Sequence, residues 1–226
     1  MMQDNGARFP GFPPQALTFL AGLRAHNERD WFNANKAIYA KAVQEPAQSF
    51  LALLEPEVAA LTGRPARGKI FRIHRDVRFS KDKRPYNAHL HIAFPAHSAT
   101  RGVTACGFFF ALEPDRILLG AGGFDFSGPL LDAYRAAVAE PKSGAGLEAI
   151  LAELTRVGLR IDGAQLKRVP APYPPDHAYA NLLRRKGLTA WRDIDDPHIA
   201  TDARLFDEVR GAFTILAPLV NWLADL

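Results

Sequence analysis

The stretch Phe71-Arg72-Ile73-His74-Arg75-Asp76-Val77-Arg78-Phe79-Ser80-Lys81-Asp82-Lys83-Arg84-Pro85-Tyr86-Asn87 lays strand-like alternation over a dense run of charge. Phe71, Ile73, Val77 and Phe79 recur at every second position, which places them on one face of a strand and Arg72, His74, Asp76 and Arg78 on the other. Arg75 falls on the apolar face, where a guanidinium needs a carboxylate, carbonyl or ligand partner to offset its lost hydration. From Ser80 to Asn87 the residues favour a loop, because Pro85 cannot donate to a ladder and Ser, Asp and Asn favour turns.

Leu90, Ile92 and Phe94 form the next alternation and leave His89 and His91 on the opposite face, so an antiparallel hairpin is predicted. Burying both apolar sets requires paired residue numbers to sum to an odd value, since a one-residue slip turns a strand inside out. A sum near 167 sets Asp76 opposite His91 and Arg78 opposite His89. Between Arg64 and Arg84 nine Lys or Arg face two Asp, a local charge of +7 within a chain of net +4.

The 226 residues, 48% of them hydrophobic, suffice for a substantial core and predict one globular unit. Met1 to Gly11 is polar with no apolar signal core, and no apolar run reaches about 18 residues, so a soluble, cytoplasmic protein with no membrane partner is expected. The single cysteine, Cys106, excludes an internal disulfide framework and sits in an apolar strand, as a buried structural thiol would.

Helices are predicted from the prolines at 13 and 14 to His26, from Glu28 to Val43, and from Glu45 to Leu61, where Pro56 is a potential kink and Gly63 the stop. Val103 to Leu112 and Arg116 to Gly120 read as an antiparallel pair around Glu113-Pro114-Asp115. Gly120 to Pro129 reads as a Gly-rich loop leading into a helix to about Glu140. Its spacing fits neither the P-loop nor the dinucleotide fingerprint, and no cofactor is assigned. A helix capped by Ser143 and running to Val157, a strand or hairpin over 159–169 with Asp162-Gly163 as its turn, and a proline-rich segment follow. A short helix at 176–186, a strand at 188–194 and a long final helix capped by Thr201 or Asp202 complete the chain. The fold class is α+β, a mainly antiparallel sheet against an N-terminal helical layer with further C-terminal helices.

Phe71 to Tyr86 resembles the domain of unknown function 2461 family. His26-Asn27-Glu28-Arg29-Asp30-Trp31-Phe32 looks like that family's segment before Trp-Phe, and Leu166 to Pro170 with Asp176-His177 looks like its later basic-proline element. The resemblance brings no reaction, cofactor or catalytic residue with it.

Three readings of the motif follow. The first is a pocket for a small anionic ligand, carboxylate- or phosphate-bearing and open to enzymatic use, built from Arg72, Arg75, Asp76, Arg78, Lys81, Asp82, Lys83, Tyr86, His89 and His91, with the helix start near Ser127 as a further contributor. Arginine suits it because its planar fork engages such groups through two bonds. The second is a nucleic-acid or acidic-protein binding module on the same patch, which a sequence pI of 9.3 permits. The third is a structural ion-pair network. A metal shell of His89, His91 and Asp76 with Asp125, Glu113 or His74 is disfavoured by the surrounding arginines, and no metal is assigned.

Overall fold

The computed structural model describes residues 8–97, 104–163 and 165–226. Val103, the predicted start of one strand, lies outside them. Helix α1 (Gln15–Ala25) closes on His26, whose N–H donates to the Gly22 carbonyl. Helix α2 (Arg29–Ile38) runs through a π-helical turn (Tyr39–Gln44) into α3 (Glu45–Thr62). Pro56 sits within α3 without splitting it, and Gly63 ends it at φ +63°, in the left-handed region that glycine enters without steric cost.

Strands β1 (Lys69–Ile70), β2 (Leu90–His97), β3 (Thr104–Leu112), β4 (Ile117–Gly123), β5 (Arg160–Asp162) and β6 (Leu188–Ile194) form one antiparallel sheet in the order β1-β2-β3-β4-β6-β5. Between them lie α4 (Pro129–Ala139), α5 (Pro141–Arg156) and the single turn α6 (Ala180–Leu183), and α7 (Arg204–Ala224) closes the chain. Phe94, Phe108 and Phe110 point from the sheet into the core, where Phe213 of α7 packs 4.8 Å from Phe108 and Phe50 of α3 packs 5.1 Å from Phe110. On the other face Phe109, Leu118 and Trp191 are only half-buried. Cys106 is buried with its thiol pushed up to about 12 by desolvation, which keeps it protonated and unreactive.

The α+β architecture is as the sequence indicates, but five local expectations change. Regular strand is confined to Lys69–Ile70, because Asp76 and Asp82 each bond their own backbone two residues on and divert the chain into turns. The register is also different. Lys69 pairs with Ala93 and Ile70 with Ile92, so the paired numbers sum to an even value. That parity sets Phe71 beside His91, off the core and 48% exposed, and Phe79 at the loop tip is 96% exposed. The glycines at 120, 122 and 123 lie inside β4; Gly120 is required there because a Cβ would come within 2.3 Å of the Trp191 ring. Finally, β5 pairs with β6 and not with 165–169, and the cap of α5 is Glu140, whose carboxylate accepts from the Lys142 and Ser143 N–H groups. No helix among the described residues is long and apolar enough to cross a membrane.

Candidate functional site

Beyond β1 the chain leaves the sheet, yet residues 71–87 return on themselves as an irregular antiparallel ladder. The Asn87 N–H donates to the Ile73 carbonyl at 2.7 Å and the Arg75 N–H to the Pro85 carbonyl at 2.8 Å, with His74 and Tyr86 bridged between them. Two residues of the earlier Asn-Trp-Phe segment hold this arch in place. Asn27 donates from Nδ2 to the Tyr86 carbonyl and accepts the Tyr86 N–H at Oδ1, both at 3.0 Å, so its amide imitates a neighbouring strand. Phe32 stacks on the Tyr86 ring at 4.3 Å. Tyr86 is therefore buried and anchors the base of the loop.

Within the loop the charges first satisfy one another. Asp76 accepts from the Arg78 backbone N–H and from its guanidinium, and Asp82 does the same with Arg84, so each Asp-x-Arg tripeptide closes on itself. The Arg78 bonds hold the Asp76 carboxyl below its ordinary range, and those from Arg84, then Arg75, hold Asp82 well below it. Arg75 is half-buried. Its Nη1 donates to Asp82 at 2.8 Å and to the Arg84 carbonyl at 3.1 Å, leaving Nε and Nη2 without partners among the described residues. Lys83 donates to the Val77 carbonyl. Arg72 and Lys81 make no ion pair among the described residues, and both are exposed.

Two hollows flank Arg75. The first, of about 420 Å³, is lined by Phe71, Arg72, His74, Arg75, Asp76, Asn87, His89 and His91. The second, of about 360 Å³, contains Arg24, Asn27, Arg75, Asp82, Arg84, Tyr86, His89 and Glu113. A larger hollow of about 490 Å³ shares Phe71, Arg72 and His74 and is otherwise lined by residues of α2, the π-helical turn and α3 with Ile70 and Ile73; it lacks Arg75 and the histidine pair.

The His89 and His91 rings stack at 3.8 Å in the first hollow. Burial, and then the neighbouring His89, bring the His91 imidazole down to about 4. Burial also lowers His89, where the Glu113 carboxylate pulls upward and Arg24 and Arg75 push further down. At neutral pH both rings are thus uncharged, each offering one donor and one acceptor nitrogen.

The structure brings Arg72, Arg75, Asp76, His89 and His91 to one hollow and Asp82 and Tyr86 to its neighbour. Arg78, Lys81 and Lys83 line neither. The predicted opposition of Asp76 to His91 and of Arg78 to His89 is replaced by the Asp76–Arg78 pair. Ser127 follows the far end of β4, whose first residue Ile117 pairs with Leu112 and is thereby tied to the Leu90 end, so it does not join this site. Among the described residues no three His, Cys, Asp or Glu side chains converge to hold a metal ion. Sequence reasoning missed Arg24, Asn27 and Asn87. Asn27 had a signal in its place before Trp31-Phe32; Arg24, bidentate with Asp115 across 91 residues, had none.

Residues 15–222 match the family described as a conserved hypothetical protein (DUF2461), which covers nearly all of the chain, and the chain belongs to that family. No curated protein matches it significantly.

Proposed function

We propose that in this member of the DUF2461 family the hollow beside Arg72, Arg75, His89 and His91 binds a small ligand carrying a carboxylate or phosphate group. The observation that supports this best is the state of the donors. Arg72 makes no ion pair among the described residues although it acts electrostatically on Asp76, Arg75 keeps Nε and Nη2 uncommitted, and Asp76, the carboxylate that lines the hollow, is already held by Arg78. An anion would therefore meet two forked donors without displacing an internal partner. The neutral imidazoles each offer such a ligand one hydrogen-bond donor and one acceptor.

Thermal denaturation in the presence of phosphate, phosphorylated metabolites and di- and tricarboxylates tests the reading. A ligand at a hundred times its dissociation constant stabilises by about 2.7 kcal/mol, which is roughly 5–10 °C for a chain of this size. The shift should be lost in Arg72→Met, whose exposed and unpaired side chain leaves the fold intact. No shift across the panel would leave the loop as an ion-pair network.

A second reading is favoured by one observation, the 96%-exposed ring of Phe79 with the Arg78 guanidinium 5.9 Å from its centre. An exposed aromatic among cations is also how single-stranded nucleic acid is held, by stacking and phosphate contact. Here a gel shift should weaken steeply with salt and be reduced by Phe79→Ala.

A further inference from the structure

The hollow of about 490 Å³ adjoins the anion hollow, since Phe71, Arg72 and His74 line both. Its other walls come from α2, the π-helical turn, α3 and the chain at Ile70 and Ile73. Phe32, Tyr39, Ile70, Phe71 and Ile73 make it largely apolar. Phe71 is 48% exposed and Tyr39 and Ile70 are half-buried, so these walls keep in water apolar surface of the kind that the core hides. Among helical segments π-helical turns are rare and recur at functional sites, and this one supplies Tyr39, Ala40 and Gln44 to the hollow. Among the described residues no Asp or Glu lines it, whereas Lys36 and Arg72 do, both exposed and neither in an ion pair. The Tyr39 hydroxyl also has no hydrogen-bond partner among the described residues.

The two hollows favour different chemistry. Beside Arg75 the lining is polar, with forked donors and imidazoles, whereas beyond Phe71 the rings of Phe32, Tyr39, Phe71 and His74 line a hollow bordered by cations alone. A wholly polar anion would use the first and leave the second wet. A molecule with a ring joined to its anionic group would use both, because Arg72 stands where they meet and aromatic walls receive a ring edge-on or offset. We propose that the ligand of this site is a ring-bearing anion, an aryl carboxylate or aryl phosphate, whose ring lies against Phe32, Tyr39 and Phe71 while its anionic group meets Arg72 and Arg75. A long acyl chain suits the larger hollow less, because the exposed Lys36, Gln44 and Gln48 bound it with polar groups. The inference rests on the anion reading of the adjoining hollow and adds what the rest of the ligand is.

Thermal denaturation of the full chain with paired probes, each against chloride at matched ionic strength, tests the assignment. The pairs are phosphate with phenyl phosphate and acetate with phenylacetate, and the pair with the larger shift identifies the anionic group. Burying one face of a ring should strengthen binding about tenfold, so the ring-bearing member should match its partner's stabilisation at about one-tenth the concentration. Arg72→Met should lose the shift with every probe to which wild type responds. Ala40→Phe, which carries a ring into the larger hollow from the π-helical turn, should keep the shift with the ring-free anion and lose the advantage of the ring. If Ala40→Phe fails to fold, Gln44→Trp, at an exposed position on the same turn, carries that arm. Equal potency within both pairs would overturn this inference and leave the anion reading standing, whereas no shift with any probe would overturn both. A ring advantage that survives filling of the hollow would overturn the placement of the ring.

Discussion

Replacing His91 by Gln should flatten the acid side of the stability curve, and the size of the effect follows from the depressed imidazole. In the unfolded chain His91 takes up a proton near pH 6.5, whereas in the fold burial and His89 delay this until about pH 4. Above about pH 7 the ring is neutral in both states and contributes nothing to the pH dependence. As pH falls through 6.5 the unfolded state binds the proton first, so stability declines by about 1.4 kcal/mol per unit until the folded ring titrates as well. Between pH 7.5 and 4.5 the loss is at most about 2.5 kcal/mol, or roughly 5–10 °C in melting temperature. The depressed carboxyls of Asp76 and Asp82 begin to lose their contribution only as pH falls to the ordinary aspartate value of about 4, and so leave this window nearly clear. The assay is thermal denaturation of wild type and His91→Gln at half-unit steps from pH 7.5 to 4.5. The two curves should converge as pH falls, because the variant lacks this penalty. Parallel curves would mean that His91 is not titrated out of range, and the account of the hollow as holding neutral imidazoles would fail.

Asn27→Ala removes both bonds to the Tyr86 backbone and should cost about 1–3 kcal/mol, with hydrogen exchange at Tyr86 rising more than exchange in the sheet. Gly120→Ala places a methyl within 2.3 Å of the Trp191 ring across the β4–β6 pairing, and should destabilise by about 1–3 kcal/mol with a shifted tryptophan emission. Asp76→Asn should leave the midpoint of urea denaturation almost unmoved, since its pair with Arg78 is exposed and screened by solvent.

The sheet and the helices were legible because their signals are local and mutually consistent. Leu188–Ile194 is found at the predicted bounds, and Gly63 stops α3 where its left-handed backbone allows. The charged motif misled for a physical reason. Alternation at Phe71, Ile73, Val77 and Phe79 has the period of a strand, but that period carries weight only when one face is buried. Of these four, Ile73 alone is fully so. The competing signal was also in the sequence: Asp76-Val77-Arg78 and Asp82-Lys83-Arg84 share an Asp-x-Arg spacing, and Asp202-Ala203-Arg204 closes in the same way ahead of α7. In all three the carboxylate accepts the backbone N–H two residues on and binds the arginine side chain, so a short turn replaces the ladder.

That same device decides which charges remain for function. A window of +7 looks like one basic patch, yet Arg78 and Arg84 are held by Asp76 and Asp82, and Arg64 by Asp225. What is left uncommitted near the histidines is Arg72 and part of Arg75, enough for one small anion. Charge density along a sequence therefore overstates a site wherever carboxylates are spaced to close on their own arginines.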